Sequence, residues 1–169
     1  MPYRNSRRPV VRRAKRPVEW QTVDASNWNP VTPGQTAGYN LLPASALQEY
    51  TSPTVIRIVG RVNVCPEPYL QLNEKTIFAF GIITTPDVTI TTSDYDPLSI
   101  VNERDWMMLK FGGHFYTDNN NNHHQWWDLD IQVSRKVNKN QDLSFYIANS
   151  VLSSVDIVYQ LGMRVLIKD

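Results

Sequence analysis

The chain has 169 residues, 41% hydrophobic and 11% aromatic, with 17 Lys and Arg against 16 Asp and Glu for a formal charge of +1. That length and apolar content suit one folded domain rather than two, and the single cysteine excludes an intrachain disulfide framework. The near-neutral total hides an asymmetry: residues 1–17 hold seven basic side chains and no acidic one, while the remaining residues, with ten basic against sixteen acidic, carry −6.

The basic leader comprises Arg4, Arg7, Arg8, Arg12, Arg13, Lys15 and Arg16. It lacks a hydrophobic period, its like charges repel, and Pro2, Pro9 and Pro17 interrupt any helix, so residues 1–17 are predicted to form a disordered, extended arm. Guanidinium forks pair with phosphate oxygens, and neutralising several phosphates releases condensed counterions, so the partner that fits this arm is a nucleic acid. Contacts of this kind carry no base code. The Arg7-Arg8 and Arg12-Arg13 pairs also suit nuclear import receptors. No apolar stretch follows the arm as in a signal peptide, and no run approaches the roughly eighteen apolar residues that span a bilayer. The chain is therefore expected to be soluble and unsecreted, with no membrane partner.

Residues 18–53 read as an irregular, proline-rich connecting segment with turn signals at Asn29-Pro30 and Pro33-Gly34. Its one helical hint is Ser45-Ala46-Leu47-Gln48, a capping-box pattern after Pro43. From Thr54 onward the hydrophobic period becomes two, the signature of strands. In Thr54–Val64 this places Ile56, Ile58, Val62 and Val64 on one face with Gly60, leaving Arg57, Val59, Arg61 and Asn63 on a wet, partly cationic face. Residues 76–84 are apolar on both faces, as in a central strand with a covered outer side. Residues 105–111 set Met107, Leu109 and Phe111 opposite Trp106, Met108 and Lys110. Trp126–Val133 alternates cleanly, with Trp127, Leu129, Ile131 and Val133 inward and Asp128, Asp130 and Gln132 outward. Leu143–Val151 puts Leu143, Phe145, Ile147 and Val151 on one face, and Val155–Ile167 is a long final strand. With Val88–Thr92 and the region of Leu41–Leu42 added, the runs define an all-β class: a single jelly-roll-type antiparallel β-sandwich over residues 54–169, behind the basic arm. Period-two patterns specify which face is buried and not which strand is next to which, so the strand order stays open.

Candidate chemistry is sparse. No nucleophile elbow, phosphate-cradling glycine loop or His-x-His pair is present, and the chain is not expected to be an enzyme or to hold a cofactor. His114, Asp118, His123 and His124 fall in or near an asparagine-rich loop too poorly preorganised for a metal. Asp94 and Asp96 suit a solvated turn better than a calcium loop. Asp128 and Asp130 share a strand face but read as surface charge, and Cys65 reads as a small buried side chain. Tyr3, Trp20 and Trp28 could stack on unpaired bases, although aromatics beyond a tail more often anchor it. Trp126 and Trp127 would also suit a sugar-stacking platform. The candidate nucleic-acid-binding residues are the seven of the arm together with Arg57 and Arg61.

The arginine-rich start, the phrase Pro53-Thr54-Val55-Ile56-Arg57-Ile58-Val59-Gly60, Asp105-Trp106-Met107-Met108, and Asp130-Ile131-Gln132-Val133-Ser134-Arg135-Lys136-Val137 come in a telling order. They lead into Asp142-Leu143-Ser144-Phe145-Tyr146-Ile147-Ala148-Asn149-Ser150 and a terminal Met163-Arg164-Val165-Leu166-Ile167-Lys168. In this the chain resembles the capsid proteins of small circular Rep-encoding single-stranded DNA viruses, especially the short, divergent members. The resemblance implies a jelly roll that assembles with copies of itself into a small icosahedral shell, with the arm packaging single-stranded DNA. It places the protein in the virion and, during assembly, in the host nucleus. Small RNA satellite viruses use jelly rolls of similar size, so RNA is the alternative cargo.

Overall fold

A computed structural model describes residues 18–67, 76–86, 96–98, 106–113 and 125–169. In them the chain forms eight strands: β1 (Glu19–Val31), β2 (Thr36–Leu42), β3 (Thr54–Glu67), β4 (Ile77–Pro86), β5 (Trp106–Gly113), β6 (Gln125–Lys136), β7 (Gln141–Asn149) and β8 (Asp156–Lys168). One short helix, α1 (Ala44–Leu47), follows β2. The arm and Val88–Thr92 lie outside the described residues.

Strands β1 and β8, β2 and β7, β3 and β6, and β4 and β5 pair antiparallel, so the chain is one long hairpin whose two arms run side by side to the β4–β5 tip. Rolling that hairpin adds the β3–β8 and β4–β7 ladders. The result is two four-stranded sheets, sheet A in the order β1-β8-β3-β6 and sheet B in the order β2-β7-β4-β5. This nesting is the double Greek key of a jelly roll.

The core lies between the sheets. β8 supplies Ile157, Tyr159, Leu161, Met163, Val165 and Ile167 at alternate positions, all buried, as its period-two pattern requires. Rings cross the centre: Trp127 packs edge to face on Phe80 at 5.0 Å and on Phe78 at 5.6 Å between centroids, while Phe80 lies tilted on Phe145 at 5.7 Å and Phe145 on Tyr159 at 5.6 Å. β4 is central in sheet B and apolar on both faces, as expected: Phe78, Phe80 and Ile82 enter the core, while Ala79 and Ile83 on the outer side are also buried. There the Trp106 ring lies where a Cβ on Gly81 would stand, and meets Tyr146 edge on at 6.4 Å.

Several expectations need correction. Residues 18–53 are not an irregular connector: they contain β1, β2 and α1, so the sandwich begins at Glu19 and not at Thr54. β1 escapes a periodicity reading because its inward positions start with Glu19 and Gln21 and, past a register shift of two extra residues between Ala25 and Asn29 that keeps the phase, include the polar Asn29. Pro30 is tolerated because β1 is an edge strand. Pro33-Gly34 is a true turn: the Gln35 amide donates to the Thr32 carbonyl at 3.0 Å, and Gly34 takes φ 78° at the position a type II turn reserves for glycine. The Ser45 capping box does not form. Pro43 occupies the cap, and Asp142, distant in sequence, accepts the Ala44 amide at 2.6 Å. Bulges account for the misread faces. Ile56 is an extra residue in β3, which lets Val55 and Ile58 both face inward; Met107 is an extra residue in β5, which sends Trp106 outward and Met108 inward. Val151 lies beyond β7 in a turn and is exposed.

Asn149 ties the ends of four strands together. Its side-chain amide donates to the Val31 carbonyl at 2.9 Å and to the Val155 carbonyl at 3.0 Å, while its backbone accepts from the Gly34 amide and donates to the Gln35 carbonyl. The residue is buried, so these partners replace water for groups that would otherwise have none.

Candidate nucleic-acid interface

Arg4, Arg7, Arg8, Arg12, Arg13, Lys15 and Arg16 lie outside the described residues, which begin at Val18. Val18 is exposed and leads directly into β1, at the edge of sheet A. In register, Glu19 stands opposite Ile167, so the chain enters the fold beside the end of β8.

Arg57 and Arg61 do sit on the outward face of sheet A, as the period-two reading placed them, but neither is a free cation. Arg57 grips Asp130 with both arms of its fork, Nε to Oδ1 at 2.7 Å and Nη2 to Oδ2 at 2.6 Å. Arg61 donates from Nε to Asp128 Oδ1 at 2.7 Å. The register explains both: Arg61 is directly opposite Asp128, whereas Arg57 pairs with Gln132 and reaches diagonally to Asp130. The hydrogen bonds from the arginines, ahead of the charge attraction, hold both aspartates below the ordinary carboxylate range, and the arginines are raised in turn. Each pair is solvent-exposed and sums to zero charge, so it serves cross-strand register more than cohesion. Asp128 and Asp130 are thus bound to separate arginines rather than arranged as a paired carboxylate site.

The aromatic candidates divide. Trp20, on the outer face of β1, is covered by the Arg164 guanidinium 4.8 Å from its ring centre, an anchored position rather than a bare platform. Trp127 packs against the core and Trp126 stands 61% exposed on edge strand β6. Tyr3 and the residues His114, Asp118, His123 and His124 are outside the described residues. Within those residues no cluster of three or more His, Cys, Asp or Glu could hold a metal. Asp96 caps a turn by accepting the Leu98 amide at 2.8 Å, and Cys65 is fully buried.

A feature that strand patterns do not disclose lies at the Thr54 end of the same face. Thr54 pairs with Lys168 of β8 on one side and with Lys136 of β6 on the other. An open cleft of about 500 Å³ lies over this end of the three strands, lined also by Ser52, Ile56, Ser134 and Asp169. Bulges border it. Ile56 is the extra residue of β3 against β8, and two residues of β6, Val133 and Ser134, oppose that one, with Ser134 held at φ 55°. At the rim, Asp169 Oδ1 accepts the Thr51 and Ser52 amides at 2.7 and 2.8 Å. Those amides, the Ser52 bond foremost, lower its pKa.

The fold and this face define a jelly-roll β-sandwich whose edge strand β1 follows the basic leader in sequence. No protein-family model and no curated protein matches the chain. Among solved structures it is similar to the Tobacco streak virus coat protein, at 14% identity over 90% of this chain and 86% of that one, with a TM-score of 0.38. It is similar also to Desmodium yellow mottle tymovirus, at 11% identity over 96% and 95% of the two chains and a TM-score of 0.31. Against the infectious bursal disease virus VP2 subviral particle the identity is 7%, over 89% of this chain and 32% of that one, with a TM-score of 0.38. The jelly-roll assignment rests on the strand pairing itself and not on these likenesses.

Proposed function

We propose that the chain is a viral coat protein that assembles with copies of itself into a small icosahedral shell and packages single-stranded DNA through its arginine-rich arm. The observation that carries this reading is the joining of a seven-charge basic leader to the edge strand of a jelly roll, a fold used for viral shells as well as for lectins and cupins. A wall made from one small protein needs every copy to present complementary edges, and closed symmetry supplies them. Sixty copies are the smallest icosahedral case, and seven arm charges in each would bring about 420 positive charges to the interior. Such attraction is indifferent to base sequence, as a coat that covers a whole genome requires. RNA would satisfy the same physics, and the paired arginines of the arm suit import into the host nucleus for assembly.

Electron microscopy and light scattering of the purified protein test the shell: uniform closed particles are expected, and a permanently dispersed subunit refutes it. A chain starting at residue 18 is expected to form particles empty of nucleic acid, read from the ratio of nucleic-acid to protein absorbance; an unchanged ratio refutes the role of the arm. A cellular single-stranded nucleic-acid-binding protein would bind as a monomer or small oligomer and form no shell. The exposed Trp126 favours a second reading, a carbohydrate-binding module. A glycan array with Trp126→Ala as control separates it from the first.

A further inference from the structure

We propose that the cleft flanked by Lys136 and Lys168 is a phosphodiester-binding subsite, through which the outer face of sheet A holds single-stranded nucleic acid next to the root of the arm. The inference rests on the packaging reading above and adds to it which surface of the sandwich faces the cargo.

Four observations converge on the cleft. First, its side-chain charge is net positive: Arg57 and Arg61 are neutralised by carboxylates, whereas Lys136 and Lys168 are exposed, have no ion-pair partner among the described residues, and outnumber the one carboxylate of the lining, Asp169. Second, the register sets the two lysines on either side of Thr54, about 10 Å apart at the backbone by strand spacing, and their flexible stems can converge on one phosphate or grip neighbouring ones. Hydroxyls of Ser52 and Ser134 line the cleft and can donate to phosphate oxygens, while the Thr54 hydroxyl donates to the Ser52 carbonyl at 3.4 Å. Third, the rim already holds an oxyanion. The Asp169 carboxylate accepts two successive backbone amides, so this backbone binds negatively charged oxygen; both amides are occupied, which leaves a phosphate to the lysines and the serine hydroxyls. Fourth, Ser134 holds a left-handed φ that most residues avoid, and it does so at the bulge that borders the cleft.

Position links the cleft to the arm. Glu19 is opposite Ile167 and Thr54 is opposite Lys168, so Val18, where the chain leaves the basic leader, lies at the same end of sheet A as the cleft. A strand gripped by the arm would reach Lys168 and Lys136 next.

The experiment measures the affinity of the full chain for a fluorescently labelled oligodeoxythymidylate by anisotropy over a range of salt concentrations. Each lysine that no longer neutralises a phosphate should reduce the slope of log K against log salt by about 0.7, so Lys136→Gln with Lys168→Gln is expected to lower it by about 1.4 and to weaken binding roughly 25-fold near 0.1 M salt. Lys136→Arg with Lys168→Arg keeps both charges and should retain the wild-type slope. A third variant carries glutamine at all seven basic arm positions. If it loses binding while the double glutamine variant binds with wild-type slope and affinity, the cleft proposal is overturned and the packaging role of the arm stands. Failure of the wild-type chain to bind overturns the packaging reading, and the cleft with it.

Discussion

Removing the Asn149 side-chain donors should unlock the end of the sandwich where β1, β7 and β8 meet. The amide group donates to two buried carbonyls, Val31 and Val155, and its own Oδ1 has no partner among the described residues. Turning the amide round would set an oxygen against both carbonyls, so the orientation is fixed by its partners. Asn149→Leu keeps most of the volume and removes the donor from both acceptors; at about 1–3 kcal/mol for each buried unsatisfied group, the cost is about 2–6 kcal/mol. Asn149→Asp keeps the shape but aims an acceptor at two acceptors in a buried site, and its carboxyl pKa must rise above the ordinary value. The sign of the pH dependence follows: a carboxyl whose folded pKa is raised favours folding below its unfolded pKa of about 3.9 and loses that contribution as pH rises through the folded value. The deficit of Asn149→Asp relative to wild type should therefore shrink as pH falls towards 4, where the protonated acid can donate to one of the two carbonyls. Urea denaturation followed by tryptophan fluorescence gives both numbers, with dispersion of the subunits checked by light scattering. A leucine variant within about 0.5 kcal/mol of wild type, the range of an ordinary surface change, would refute the claim that these bonds hold the strand ends together.

Gly81→Ala should cost about 1–3 kcal/mol, the range for overpacking, because the new methyl would stand in the Trp106 ring on the outer face of sheet B; an unchanged urea midpoint contradicts that packing. Burial first, and the neighbouring Tyr39 second, push the Tyr159 phenol from 10.0 up to about 12. The raised value favours folding below pH 10 and is lost as pH climbs to about 12, so stability should fall by about 1.4 kcal/mol near pH 11. Tyr159→Phe should remove that part of the alkaline decline, and an identical decline in the variant rules the phenol out as its cause.

The elements legible in the sequence were those whose two faces differ in polarity. β8 alternates without interruption, and β6 alternates from Trp127 to Val133 because an edge strand with one wet side must. β4 declared itself by the opposite sign, apolar on both faces. β1 did not, since an edge strand tolerates a proline and polar residues at inward positions, here Glu19, Gln21 and Asn29, so its inward face carries no apolar period. The site divides in the same way. The outward positions of Arg57 and Arg61 follow from local alternation, but their neutralisation by Asp130 and Asp128 depends on β6 lying beside β3, far away in sequence.

By itself, then, the sequence determined the charge of the leader, the all-β class and the buried face of the strands with regular alternation, because these depend on side chains a few residues apart. Only the tertiary structure decided the nested strand order, the phase shifts at Ile56 and Met107, the bulge at Ser134, and the meeting of Lys136 with Lys168 across Thr54. Those features arise from pairing between distant segments, where one extra residue in one strand changes which side chains face each other, and no local period records that choice.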